Sequence, residues 1–247
     1  MKLFFAGTGG GYSKHRRTPC VLFETPKTVF MFDAGSGIDS LPKGFNGEKK
    51  IVLMLTHAHL DHLTGLFALA IMIKPEDLTI FCHKASIEEL TKSSMMAPLH
   101  TRFYEKVTFV NVEPSENYKN EDEGYVIKTQ KLDHPGITIG YRLEVFGANV
   151  AYCTDTSVCE GSEKLARDAT VLIHDTHYLE KDFKPEAKHS TAKQAGEMAK
   201  KAGVKNFFCF HYQPEYKEEE LKEMLTEAKS AFGENAFLST DGLKVEL

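Results

Sequence analysis

The chain has 247 residues, 42% of them hydrophobic and 26% charged, with a formal net charge of -5 and an isoelectric point near 6.1. That is enough chain for one domain, 1–247, with a full core. The acidic balance gives no general attraction for nucleic acid, which usually calls for a basic face, and leaves a local basic patch open. The longest apolar run, Leu66 to Ile73, is too short to cross a bilayer, and the opening MKLFFAGTGGG turns to glycine before a secretory signal could form. Five scattered cysteines, odd in number and without a CxxC pair, read as reduced thiols rather than a disulfide framework. These features together lead us to expect a soluble, cytoplasmic protein.

In chain order, Lys2–Ala6, Cys20–Glu24, Thr28–Asp33 and Ile51–Thr56 read as strands, each ending near glycine, proline or a polar turn. Leu63 to Ile73 is apolar almost all round and reads as one buried helix. Leu78–His83, Val107–Val112, Tyr125–Leu132, Ile137–Val145 and Val150–Thr154 read as further strands, and Glu113 to Glu123 as an acidic, solvated loop. Thr170–His174 starts another β section. Thr191 to Ala202 predicts a helix, with Thr191 and Gln194 as a capping box and Gly203 as its stop. Val204 to Phe210 predicts a buried strand. Leu221, Met224, Leu225, Ala228 and Phe232 predict one face of a last helix, and Leu243–Glu246 a final strand. Strands interleaved with helices predict an α/β fold of two sheets covered by helices.

The chemistry concentrates in Thr56-His57-Ala58-His59-Leu60-Asp61-His62, directly after an apolar strand. In an extended strand end, alternate side chains point the same way, so His57 and His59 can reach one ion. Asp61 and His62 follow where the chain turns into a helix and can face a second ion. Imidazole and carboxylate suit zinc, iron or manganese in a catalytic site. The bland alternative is a polar strand-to-helix turn, and three histidines and an aspartate in six residues speak against it.

This HxHxDH segment resembles the signature of the metallo-β-lactamase superfamily. Asp33-Ala34-Gly35, Asp133-His134-Pro135-Gly136, Tyr152-Cys153-Thr154-Asp155-Thr156 and Phe210-His211-Tyr212 resemble its other motifs in the right order. The resemblance implies a metallo-β-lactamase αββα sandwich, with two mixed β-sheets flanked by helices. It implies two divalent metal ions, with zinc, manganese or iron as the metal. One is held by His57, His59 and His134, the other by Asp61, His62 and His211, and Asp155 bridges them.

Lys188-His189-Ser190-Thr191 resembles the HST motif of the ribonuclease Z-like branch, which includes small cyclic phosphodiesterases. Val171-Leu172-Ile173-His174-Asp175-Thr176 resembles that branch's LIHEAT-like segment, with aspartate for glutamate. By that match His189 protonates the leaving oxygen and Asp175 orients it. The candidate catalytic residues are His189, Asp61 and Asp175. A plain helix cap at Ser190 and Thr191 is the alternative.

Ribonuclease Z usually carries a tRNA-binding arm between the third motif and the bridging aspartate. Here residues 135–154 fill that interval with strand-like sequence. The expectation is therefore a hydrolase of small or cyclic phosphodiesters without a stable nucleic-acid partner or a membrane, and with homodimerisation left open. Rivals are a lactone, thioester or sulfate-ester hydrolase on the same ions, ribonuclease Z-type processing, a di-iron redox protein, and a binding protein that has lost catalysis. Gly7-Thr8-Gly9-Gly10-Gly11 reads as a turn near the site rather than a dinucleotide loop, since Tyr12 takes the place of the third glycine. Arg16, Arg17, His100 and Arg102, the last two within a Ser94–Phe103 loop, are open as substrate contacts. His15, His83 and His177 carry no assigned role.

Overall fold

The computed structural model describes residues 1–41, 49–72, 77–86, 88 and 107–247. They divide into two compact units, Met1–Val112 with Thr240–Leu247, and Glu113–Ser239.

The first unit holds a seven-stranded mixed sheet in the order β14-β1-β2-β3-β4-β5-β6. Its strands are β1 (Lys2–Gly7), β2 (Cys20–Glu24), β3 (Thr28–Phe32), β4 (Lys50–Met54), β5 (Leu78–Cys82), β6 (Thr108–Asn111) and β14 (Lys244–Glu246). β14, β1, β2 and β3 pair antiparallel, and β3 to β6 pair parallel. Residues two apart supply one face of this sheet: Cys20 and Leu22, Val29 and Met31, Ile51 and Leu53, Leu78 and Ile80. They form a core with Ile38, Leu66 and Leu69. β3 is buried throughout, which is why its sequence, TVFMF, shows no polar alternation.

After β4 come two short helices, α1 (Leu60–Leu63) and α2 (Leu66–Met72). The single buried helix expected over Leu63 to Ile73 is therefore corrected. The chain breaks at Thr64–Gly65, where Gly65 N donates to the Ala34 carbonyl at 2.7 Å rather than within a helix, an approach that leaves no room for a Cβ, which would lie 2.3 Å from the Gly35 carbonyl oxygen. α2 also exposes Phe67 and Ile71, so its apolar sequence does not mean all-round burial. Ile73 and the expected Ser94–Phe103 loop, with His100 and Arg102, lie outside the described residues.

The second unit holds another seven-stranded mixed sheet, ordered β13-β12-β11-β10-β9-β8-β7. Its strands are β7 (Asn117–Asn120), β8 (Tyr125–Lys131), β9 (Ile139–Val145), β10 (Ala148–Cys153), β11 (Val171–Asp175), β12 (Asn206–Phe210) and β13 (Ala236–Leu238). β7 to β10 run antiparallel and β10 to β13 parallel. Parallel neighbours need crossovers. These are α3 (Glu160–Ala166), α4 (Ala192–Lys201) and α5 (Glu218–Phe232). Their apolar faces, including Leu165, Ala195, Met198, Leu221, Met224 and Ala228, pack with Leu172, Phe207 and Cys209 of the sheet. Because each crossover returns the chain to the same side, the carboxyl ends of β10, β11 and β12 open together, the usual place for a site in such sheets.

α4 begins and ends as its sequence predicts. The Thr191 hydroxyl accepts from Gln194 N at 3.1 Å, Gln194 Oε1 accepts from Thr191 N at 3.1 Å, and Gly203 has φ +73°. The Glu113 to Glu123 segment is not all loop: Asn117–Asn120 is the edge strand β7, paired to β8. An edge strand with polar exposed faces lacks the apolar alternation by which strands are recognised. α3 and β13 also went unrecognised, being short and flanked by polar sequence. All five cysteines are free thiols, and burial pushes those of Cys82 and Cys209 up to about 12. Among the described residues, no helix is long and apolar enough to cross a membrane.

β9 and β10 are joined by Phe146 and Gly147, both in the left-handed region at φ +49° and +80°. A two-residue hairpin loop with two positive φ values favours Asn-Gly, and Phe146 is 63% exposed, so little burial holds it there. Phe146→Asn is therefore expected to stabilise the protein by about 0.5–1 kcal/mol, the usual scale of relieved backbone conflict. Urea unfolding checks this, and a lower midpoint would show that the phenyl ring makes a stabilising contact.

Candidate active site

In the first unit, Asp33 follows β3 at φ +54° and is fully buried. Its carboxylate accepts from Thr56 N at 2.9 Å and from the Thr56 hydroxyl at 3.0 Å, and lies 2.8 Å from His62 Nδ1. His57 Nδ1 lies 3.0 Å from the Thr56 hydroxyl oxygen. Both imidazoles thus have Nδ1 beside an oxygen, with Nε2 on the opposite edge of the ring. A carboxylate behind a histidine is the common support of a metal site. The ring of His57 lies 4.3 Å from that of His59 and 4.4 Å from that of His62, centre to centre. Asp61 Oδ2 is 3.4 Å from His62 Nε2 and accepts from Gly11 N at 2.8 Å. The glycine-rich turn is thereby anchored on the HxHxDH segment. Ala34 N donates to the His62 carbonyl at 2.8 Å, and a Cβ on Gly35 would meet the Asp61 carbonyl at 2.2 Å. Only glycine lets the Asp33-Ala34-Gly35 strand end approach so closely.

In the second unit, Asp155 and His211 stand just beyond β10 and β12 at φ +51° and +63°. Aspartate and histidine tolerate this region better than most residues, and held there they turn sharply off the strand ends. His211 Nε2 lies 2.7 Å from Asp155 Oδ1, and His134 Nε2 lies 3.9 Å from Asp155 Oδ2. His134 Nδ1 is 3.4 Å from the Lys188 carbonyl. Asp133 supports this corner by accepting from the Ser157 hydroxyl and from Lys188 Nζ.

Asp175, the last residue of β11, is fully buried. It accepts from His177 N at 3.0 Å, Ser190 N at 3.2 Å and Thr156 N at 3.2 Å, and pairs with His189 Nδ1 at 2.6 Å. Burial works to raise its carboxyl, but the charge and hydrogen bond of His189, with the charges of His211 and His177, outweigh it and hold the group at about 2. For His189, burial favours the neutral ring, yet the Asp175 carboxylate holds it above its ordinary value. His189 Nε2 is left as the nitrogen that can donate a proton. Ligand atoms of Asp155, Asp175, His189 and His211 lie within 4.8 Å of one another.

Each unit therefore gathers imidazole nitrogens and carboxylate oxygens, a donor set compatible with divalent transition metals. The first unit brings together His57, His59, Asp61 and His62. The second brings together His134, Asp155, Asp175, His189 and His211, and adds His177, which the sequence reading left without a role. Its imidazole stacks on His189, and burial with the charge of His211 pushes it down to about 4. Asp33 and Thr56 as supports of His62 and His57 were also missed. The Asp-x-Gly pattern at the end of β3 was the available signal for Asp33. Arg17 and His15 are exposed and His83 is buried away from solvent.

A family model described as "Beta-lactamase superfamily domain" matches residues 32–212. The chain is 28% identical to the Ribonuclease Z of Exiguobacterium sibiricum, covering 98% of this chain and 97% of that protein. It is 27% identical to the Ribonuclease Z of Picrophilus torridus, covering 99% and 95%. Its fold is similar to that of the metallo-β-lactamase fold protein YhfI from Bacillus subtilis, with TM-score 0.83, 21% identity and 99% of both chains covered. A diphosphatase from the PhnP family follows at TM-score 0.75 and 19% identity, covering 100% of this chain and 97% of that one. Human tRNase Z, short form, has TM-score 0.75 and 21% identity, with 100% and 99% covered. The fold is thus the metallo-β-lactamase fold.

The depressed Asp175 carboxyl has a consequence for stability. The unfolded chain takes up this proton near the ordinary value of 3.8, the folded chain only near 2. The contribution is therefore complete above about pH 4 and is lost as the pH falls toward 2. Asp175→Asn should lower stability at neutral pH and flatten its slope between pH 4 and pH 2. Urea unfolding of chelator-treated protein at stepped pH measures this, and an unchanged slope would show that the carboxylate is not held in its charged form by these partners.

Proposed function

The chain belongs to the β-lactamase superfamily, and on that premise we propose that it is a two-metal hydrolase acting on small or cyclic phosphodiesters. In this reading 1–247 acts as one catalytic domain. His57, His59 and His134 would hold one ion and Asp61, His62 and His211 the other, with Asp155 shared between the two. Zinc is the first expectation, with manganese or iron as alternatives. The supporting fit is chemical: oxygen partners sit at Nδ1 of His57, His62 and His134, and the buried carboxylate of Asp155 faces Nε2 of His211 and of His134. When bound, two such ions supply activated water and positive charge for an in-line displacement at phosphorus.

The observation that carries the phosphodiester reading is the Asp175–His189 pair. An alkoxide leaving group needs a proton, and an imidazole whose Nδ1 is pinned to a buried carboxylate, which favours its charged form, is placed to deliver one from Nε2. Lactone or thioester hydrolysis has less need of such an acid. The small-substrate reading is supported at residues 135–154, where the antiparallel strands β9 and β10 close through two residues and leave no arm. The alignment to the Exiguobacterium protein runs over 299 positions, more than the 247 residues here, so that relative carries segments this chain lacks. The names of the relatives favour a second reading, ribonuclease Z-type cleavage of RNA. We take the partner to be a small phosphodiester in the cytoplasm, with no lasting nucleic-acid complex, and the enzyme to be a monomer or a homodimer.

Elemental analysis of protein reloaded with zinc or manganese should approach two equivalents per chain, and saturation at one would end the two-metal proposal. The loaded enzyme should hydrolyse bis-p-nitrophenyl phosphate and cyclic nucleotides in preference to lactones and sulfate esters. Salt-sensitive binding and 3′ trimming of precursor tRNA would instead favour the second reading.

His189→Ala should keep both metals and the fold while losing about 10²–10⁴ in turnover, the usual worth of a general acid. The loss should be largest for an alkoxide and smallest for p-nitrophenolate, which departs without protonation. His59→Ala should lose metal as well. Steady-state kinetics with metal analysis separates the two, and an His189→Ala variant that loses a metal would make His189 a ligand.

A further inference from the structure

Resting on the reading of His189 as the proton donor, we infer that His177 is a positioning residue that sets the plane and reach of the His189 imidazole. A ring held by one hydrogen bond can still pivot about it and swing its far nitrogen. His189 has such a bond, from Nδ1 to Asp175. His177 removes the pivot by stacking on the His189 ring, with centroids 4.3 Å apart and planes 18° from parallel. Tyr178 closes a further side, edge-on to both rings, at 4.7 Å from His177 and 6.2 Å from His189.

His177 can serve as a fixed plate because its own ring and backbone are pinned. Its Nδ1 lies 3.0 Å from the His211 carbonyl oxygen. A carbonyl only accepts, so Nδ1 carries the hydrogen and the tautomer is set. The His177 backbone N–H donates to Asp175 Oδ1 at 3.0 Å, and its carbonyl accepts from Gln213 N at 3.2 Å. One buried residue thus joins three parts of the site: the end of β12 at His211, the Asp175 carboxylate and the His189 ring. His177 thus touches both the proton donor and the candidate ligand His211, whose ring lies 5.6 Å from that of His177 and itself stacks on His189 at 5.5 Å. A misplacement of about 1 Å at such a group can cost about 100-fold in rate. An aliphatic residue of similar size would fill the space, but would offer neither a flat face nor the N–H.

The test compares His177→Ala, His177→Phe and His189→Ala on an alkoxide-leaving phosphodiester and on its p-nitrophenyl counterpart. His177→Ala should lower kcat by about 10–100-fold on the alkoxide ester, with KM within about twofold and a much smaller loss on the p-nitrophenyl ester. His177→Phe keeps the flat face and should recover most of that loss. The double variant His177→Ala/His189→Ala should be no slower than His189→Ala, since both changes remove one function. Independently of turnover, the ring nitrogens of His189 in ¹⁵N-histidine-labelled protein should give one sharp set of signals in the wild type and in His177→Phe. In His177→Ala they should broaden or double.

Equal losses on both esters, additive losses in the double variant, loss of metal, or unchanged His189 signals in His177→Ala would each overturn the positioning role. If His189→Ala shows no dependence on the leaving group, the proton-donor reading fails. The nitrogen signals then still decide whether His177 holds the ring.

Discussion

A buried carboxylate surrounded by donors is the interaction on which the cluster of the second unit depends. Asp175 is removed from solvent, and an isolated charge in that position would be untenable. It is tolerated because Thr156, His177 and Ser190 each turn a backbone N–H toward it and His189 completes the set. Those donors come from the turn after β10, the end of β11 and the loop before α4. Satisfying one charge therefore fixes three separate pieces of chain. It also draws Ser190 into place, where its hydroxyl donates to the Thr156 carbonyl at 2.7 Å. The helix cap at Thr191 is consequently not an alternative to a functional role for this motif. The cap ends the loop that the carboxylate organises.

The first unit uses the same device. Asp33, equally buried, draws Thr56 and His62 together across the end of β3 and the start of α1. In both places an acidic side chain stands behind a histidine and fixes which nitrogen faces outward. At His189 the carboxylate also works against burial and holds the imidazole above its ordinary value.

Much of this was legible in the sequence, for physical reasons. Parallel strands buried on both faces are continuous apolar runs, so β4, β11 and β12 and the polar residues just past them stand out. The HxHxDH segment stands out because it follows such a run, whereas Asp155 and His211 were singled out by the resemblance of their motifs. The Thr191–Gln194 cap was found because capping is local. What escaped depends on contacts between distant residues. Nothing near Gly65 says that its N–H pairs with the Ala34 carbonyl, so the break between α1 and α2 was invisible. β7 pairs through its backbone at a sheet edge and needs no apolar signature. His177 sits in a segment whose family pattern draws attention to the acid two residues earlier, and its stacking partner is twelve residues away.

The order in which the two units are completed along the chain has its own consequence. The second unit is contiguous, whereas the first closes its sheet only with β14, which pairs with β1 across Lys2–Glu246, Leu3–Val245 and Phe4–Lys244. The same returning segment brings Asp241, which accepts from the Thr8 hydroxyl at 2.8 Å and Arg17 N at 2.7 Å. Until it arrives, β1 presents an unpaired edge and the glycine-rich turn that leans on Asp61 lacks its clasp. During synthesis on the ribosome β1 thus waits for β14. An exposed edge of that kind invites pairing with other chains, so a nascent chain arrested before residue 240 leaves this edge open to aggregation.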